Sequence, residues 1–430
     1  MKTIRLKDLN NTDYQRIVRR SAGMDVRIRP QVKKIMESVK TSGDAVLRNK
    51  YVKRYGAAAY SSVAVTPGDI KNAYTRVTPD FIRALRQMIK NITAVQKAQL
   101  PRLKDTVVRT EKGITVWREW RPIEKVGLYI PGGKAVYPSS VLMTAIPAQI
   151  SGCRQIVLCS PPREDGQIPA PTLVAADMIG ITNIYRVGGA EAIAAMCYGT
   201  NTIPNVYKIF GAGNAFVTAA KMLALDTVSI DMPAGPSEIF IIADDTANPA
   251  FIAADLLADG EHGEDSACVL ITTSETVAKK TIAEIQKQLP FLKTADRIRA
   301  SLRQYGLFAV ADSITEAIAF TNEYAPEHLE IMTRRPETVV GRIRNAGSVF
   351  LGPWTSKATG DYATGANHVL PTGGMAKMYP PLGVDAYGKW MQVQTCTKRG
   401  LSTIRNTIEI VAAIEQLPAH KNSVSVRFMK

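Results

Sequence analysis

Between Asp255 and Asp265 the chain reads DLLADGEHGED, a helix-like run that sets Asp255, Asp259, Glu261, Glu264 and Asp265 around one histidine, His262. Carboxylates gathered about an imidazole point to a held cation: a metal ion, an ammonium-bearing substrate, or solvent counter-ions. The chain has only four histidines, His262, His328, His368 and His420, all in its last 170 residues and each close to an acid. Asp259 and His262 are three apart, so on a helix they share a face and can address one ion. Two further ligands would come from distant segments: Asp361, in the Gly-rich TGDYATGAN, and His420, just after Pro418. Nitrogen and oxygen donors without thiolate suit zinc as a Lewis acid, and the same set would accept manganese or cobalt.

A second cluster is APEHLE. Pro326 suits a first helical turn, which would put Glu327 and His328 at a helix N-terminus, where the dipole disfavours imidazolium and keeps His328 available as a base. The bland reading is a helix start with an acidic first turn. A third signal, FGAGNAF at 210–216, is a glycine turn between a strand and a helix. Such a turn can bring backbone N–H groups to a phosphate, although a plain tight turn is the commoner meaning.

The elements that must position these groups follow from the apolar pattern. From Lys125 onward, continuous apolar runs such as QIVLCSPP, SEIFIIADD and ACVLITT alternate with helical segments. That pattern predicts parallel sheets covered on both faces, an α/β architecture of doubly wound type. DMPAGPSE, at 231–238, marks the crossing between two such series. Before Lys125 the chain reads as mostly helical, with a hairpin at TVVRTEKGITVWREW. Beyond Pro380, a connector, a helix and an extended terminal segment form a tail that needs a surface to cover it.

At 430 residues, the chain exceeds the roughly 250–300 residues at which single cores stop growing. No window approaches the ~18 apolar residues of a membrane span, and the reading is of a cytoplasmic protein. Five scattered cysteines exclude a disulfide framework and a C-x-x-C zinc site. The net charge of +16 is concentrated in residues 1–125, where 28 basic residues face 11 acidic ones. Without aromatic interleaving or a nucleic-acid-binding motif, solvated helix faces account for it.

The stretches VGLYIPGGKAVYPSSVLM, YRVGGAEAIAAMCYGT, IDMPAGPSEI, AADLLADGEHG, YAPEHLEIMT, GDYATGANHVLPT and LPAHKNSVSVR together resemble the histidinol dehydrogenase family over nearly the whole chain. The resemblance implies an NAD-dependent enzyme with one Zn²⁺ per subunit that oxidises L-histidinol twice, through a retained aldehyde, to L-histidine. It implies two Rossmann-like domains: residues 31–125 with 238–380 carrying the metal and catalytic groups, and 126–237 carrying the NAD contacts. These would be flanked by an N-terminal helical arm, 1–30, and a tail, 381–430, reaching across a homodimer. Carried over residue by residue, it makes Asp259, His262, Asp361 and His420 the zinc ligands and Glu327 and His328 the acid/base pair. Ser237, Asp259, His262, His328, Asp361, Glu415 and His420 would contact substrate, and Tyr129, Glu191 and Asn214 would contact NAD. Asp259 and Glu191 each stand where the family usually has glutamine, and Ala212 where it has proline. A same-fold dehydrogenase of another small primary alcohol, such as a sulfonated diol, is the nearest alternative. A basic nucleic-acid-binding protein on this scaffold is a more distant one.

Overall fold

The computed structural model describes residues 2–20, 26–56, 60, 62–132 and 135–429. Its strands, in chain order, are β1 (Thr3–Arg5), β2 (Val108–Glu111), β3 (Ile114–Pro122), β4 (Lys125–Tyr129), β5 (Gln155–Cys159), β6 (Ile184–Tyr185), β7 (Lys208–Phe210) and β8 (Ser229–Ile230). They continue with β9 (Glu238–Ala243), β10 (Ala267–Thr272), β11 (Gly306–Val310), β12 (His328–Met332), β13 (Ser348–Leu351) and β14 (Gly388–Cys396).

Two wholly parallel sheets form the body. One runs β6-β5-β4-β7-β8, the other β1-β11-β10-β9-β12-β13. Numbered within each βα series, both have the order 3-2-1-4-5 of a doubly wound sheet, the second extended at its edge by β1. Continuous apolar strands need both faces covered. In β9, Ile239, Ile241 and Ala243 enter one core while Phe240 and Ile242 enter another on the opposite face. In β5, Val157 and Cys159 are separated from Ile156 and Leu158 in the same way.

The helices Arg29–Ser42 and Asp44–Tyr55 supply Val32, Met36, Val39, Leu47 and Tyr51 to one core of the β4–β8 sheet, and Pro79–Ala98 supplies Leu85 and Ile92 to its other core. This differs from the expected grouping of 31–125 with 238–380: these helices cover the sheet of 126–237. The N-terminal arm instead joins the β9–β13 sheet, through β1 beside β11 and through Tyr14, Ile17 and Val18 on its core.

Two local expectations are overturned. The residues at 328–332 form no helix: β12 lies between β9 and β13 with all five side chains buried, so the pairing demand of the sheet outweighs the helix-start signal of Pro326. The preceding helix, Ile314–Tyr324, stops at Ala325, which adopts φ +53°. The C-terminal segment, expected as extended, is the helix Pro418–Ser425 followed by a 3-10 turn. The extended part of the tail comes earlier, where β14 pairs antiparallel with β3 beside the β2–β3 hairpin. Among the described residues, no helix is long and apolar enough to cross a membrane.

Candidate active site

The two sheets are joined by residues 231–237, which leave the C-terminal end of β8 and enter the N-terminal end of β9. This connection brings the carboxyl edge of one sheet towards the amino edge of the other, and the expected site residues divide between these two edges.

At the amino edge of the second sheet, Ser237 and Glu327 immediately precede β9 and β12, which Glu238 and His328 open, and Asp259 lies in the last turn of the returning helix Pro249–Gly260. The helix stops one residue before Glu261, so His262 lies in the turn beyond it and not on the helix itself. The side chain of Glu327 is fixed through Oε2, which accepts from the Glu238 N–H at 2.8 Å and from the Ser237 hydroxyl at 3.2 Å. Ser237 also reaches Asp259 Oδ1 at 2.9 Å. His328 is buried, with Nδ1 at 2.9 Å from the Glu238 carbonyl. With Nδ1–H donating there, Nε2 carries the lone pair. Nε2 has no hydrogen-bond partner among the described residues and lies 3.9 Å from Asp361 Oδ1. Burial alone would favour the neutral ring, but Glu327, 3.5 Å from Nδ1, outweighs it and raises the histidine pKa. The helix-dipole account of His328 therefore falls. Its protonation is set by burial against an adjacent carboxylate.

At the centre of the cluster stands Lys357, absent from the sequence-derived set. It is 1% exposed. Its Nζ lies 3.2 Å from Asp259 Oδ1, 2.9 Å from Asp361 Oδ2 and 3.2 Å from His262 Nε2. Desolvation opposes its charge, but the two carboxylates win and raise its pKa. Burial would likewise raise both aspartates, yet Lys357 lowers them; His262 is lowered first by burial and then by Lys357, so its Nε2 accepts as a neutral ring. Within the single chain, three members of the expected zinc set, Asp259, His262 and Asp361, converge on an ammonium, while the fourth, His420, is exposed on the helix Pro418–Ser425 and Glu415 is exposed at the end of the helix before it. Among the described residues, no group of three or more His, Cys, Asp and Glu side chains is disposed to hold a metal ion.

Two supports explain why the cluster holds its shape. Arg20 makes a two-pronged contact with Glu238, Nε to Oε1 and Nη2 to Oε2 each at 2.6 Å, and lies 3.6 Å over the Tyr324 ring. His368 is structural: Nδ1 meets the Asp361 carbonyl at 3.1 Å and Nε2 the Ser140 hydroxyl at 3.2 Å, tying the loop to the other domain. The signal that could have revealed Lys357 was its i,i+4 spacing to Asp361.

The other edge gathers Tyr129 at the end of β4, Glu191 in the first turn after β6, and Asn214 after β7. This is the strand-order switch, where doubly wound sheets bind nucleotides. Gly211 requires its glycine: φ is +114°, and a Cβ would lie 2.1 Å from the Tyr129 carbonyl oxygen. The Gly211 N–H, however, donates to Asp231 at 2.8 Å, and Asn214 caps its own helix through Val217. The Tyr129 hydroxyl accepts from the Gly189 N–H at 3.2 Å. Glu191 is buried and paired with Lys50 at 2.5 Å, so its carboxylate carries a counter-charge.

A doubly wound parallel sheet with a glycine-lined carboxyl edge, together with a buried histidine among carboxylates, is the framework of an α/β enzyme. The comparisons give the particular family. Residues 18–428 match the model of the histidinol dehydrogenase family, and the chain belongs to that family. It is 44% identical over 428 residues to the histidinol dehydrogenase of Bacteroides fragilis, covering 99% of each chain. It is 44% identical over 421 residues to that of Methanothermobacter thermautotrophicus, covering 97% of this chain and 98% of the other. It superposes on the crystal structure of histidinol dehydrogenase from Elizabethkingia anophelis with a TM-score of 0.93 at 41% identity, covering 99% and 98% of the two chains.

Proposed function

We propose that this chain oxidises L-histidinol to L-histidine in histidine biosynthesis, by two successive hydride transfers to NAD through an aldehyde retained in the site. The observation that carries the reading is His328 Nε2: a buried, unpartnered ring nitrogen beside Asp361 and Glu327, in a chain that matches this family almost end to end. NAD fits the carboxyl edge of the first sheet, where Tyr129, Glu191 and Asn214 would hold it; when bound, its nicotinamide accepts hydride.

The remaining chemistry belongs to the chain. In the first oxidation, His328 Nε2 takes the hydroxyl proton while the bond from Nδ1 to the Glu238 carbonyl fixes the ring. In the second, Glu327, anchored by Ser237 and the Glu238 N–H, takes a proton from the water that adds to the aldehyde carbon. Overall, one alcohol and one water yield one carboxylate, two hydrides taken up by two NAD, and three protons. Asp259, Asp361 and Glu327 outnumber Lys357, leaving excess negative charge that suits the substrate's ammonium. Glu415 and His420 would complete the site of a second copy in a homodimer, an arrangement supported by the exposed apolar tail residues Ile410, Ile414 and Leu417. Purified protein given histidinol and NAD should raise absorbance at the NADH band. No increase over the protein-free control, with or without added zinc, would overturn the reading.

A further inference from the structure

We propose that the ε-ammonium of Lys357 is the resident cation of this active site, built into the chain in place of a divalent metal. The inference rests on the proposed activity for what the cation serves and on geometry for what the cation is. An ammonium has three N–H donors. Those of Lys357 meet three acceptors, Asp259 Oδ1, Asp361 Oδ2 and His262 Nε2, at 2.9–3.2 Å. No valence is left over on the nitrogen.

The same three acceptor atoms cannot serve both cations. Zinc holds such donors at about 2.0–2.2 Å, so an ion bound to them would lie nearly on top of Nζ, and a +2 charge beside a +1 charge in a dry site is strongly repelled. Nor can Lys357 easily swing away. Its backbone N–H donates to Glu330 Oε1 at 2.8 Å, and its side chain is 2% exposed. It shares one helical face with Asp361, four residues on, so the lysine and its partner are set by the same short helix, Lys357–Tyr362.

The aspartate at 259 belongs to this arrangement. A neutral residue there would give the ammonium one ionised partner; Asp259 gives it two. Lys357 is accordingly a positioning residue: it ties Asp259, Asp361 and His262 to one point, and through Asp361 it orients the carboxylate that faces His328 Nε2.

The test measures metal and activity separately on the full-length protein in its native assembly. After dialysis against EDTA, elemental analysis should find far less than one zinc, manganese or cobalt per subunit. Turnover of histidinol should be unchanged within about twofold, and zinc chloride should not raise the melting temperature. Lys357→Met keeps the length of the side chain and removes the charge, leaving Asp259, Asp361 and His262 facing one another. This variant should bind zinc at least about tenfold more tightly than the parent protein, read as a zinc-dependent rise in melting temperature. Two results would overturn the proposal: parent protein that retains about one metal per subunit and loses activity when it is stripped, or a folded Lys357→Met variant that binds zinc no better than the parent. If Lys357→Met does not fold, the parent's metal content decides alone. A metal-free parent with no activity on histidinol in any condition would remove the functional reading and leave the assignment of the cation standing.

Discussion

Glu327 and His328 are neighbours in sequence, yet β-strand geometry sends consecutive side chains in opposite directions from the sheet. At the start of β12 the two nevertheless meet, because Glu327 lies just outside the strand and folds back onto the Glu238 N–H. That difference in anchoring predicts a division of labour. Glu327→Gln preserves an acceptor for Glu238 but cannot take a proton from water. It should lose about 10²–10⁴-fold in oxidation of added histidinal, and markedly less in the first hydride transfer from histidinol, both measured in single turnovers. Equal losses on the two substrates would show that Glu327 does not serve the second step alone. The residue types behind this chemistry were legible in sequence, since acids around scarce histidines stand out. Lys357 was not: within TSKATGDY, a lone lysine beside small polar residues has no local mark of burial, and only the packing of distant segments makes it the centre of the cluster. Lys50 was hidden in the same way, among the basic residues of a helix whose lysines are mostly solvated.

The elements that hold these residues were legible where the pattern was long and periodic, as in the β4–β8 and β9–β13 series. They were misread where a short segment carried conflicting signals: HLEIM follows Pro326 and Glu327, but its register between β9 and β13 fixed it as β12. Beneath that strand, Glu330 accepts the Lys357 N–H and pairs with Asp255. Burial raises Asp255 to about 6, and burial together with Asp255 raises Glu330 well above the carboxylate range. A raised folded-state pKa means that the protonated form is favoured by folding. The stabilisation is therefore full below the unfolded value of about 4 and is lost as pH rises through about 6. Asp255→Asn should flatten the dependence of unfolding free energy on pH between those limits; denaturant curves with parallel pH profiles for both proteins would contradict the shared-proton account. At the opposite edge, the Lys50–Glu191 pair tempers the carboxylate expected to repel a 2′-phosphate. Freeing it with Lys50→Met should increase the preference for NAD over NADP, and Glu191→Gln should reduce it, read as ratios of kcat/KM. An unchanged ratio in both variants would place Glu191 away from the ribose.

At the scale of the whole molecule, the proposed function assigns one sheet edge to the cofactor and the other to proton transfer, with residues 231–237 joining the two sheets. The start of the tail, at Leu382 and Tyr387, enters one core of the first sheet, while its later helices join the core of neither sheet. Its helix Lys398–Ile414 leaves Ile410, Val411 and Ile414 exposed, as expected of a surface that a second copy covers. If Glu415 and His420 serve the other subunit, mixed dimers of His420→Ala and His328→Ala chains contain one site with both residues intact and should recover activity that neither parent shows. Verified mixed dimers without recovery would mean that the tail serves its own subunit or no site at all. The central claim, two oxidations in one site, is tested most directly by stoichiometry: limiting histidinol, excess NAD, and quantitation of NADH, histidine and free aldehyde together. The account predicts two NADH and one histidine per histidinol with little aldehyde in solution. One NADH per histidinol, with the aldehyde released as the product, would contradict it.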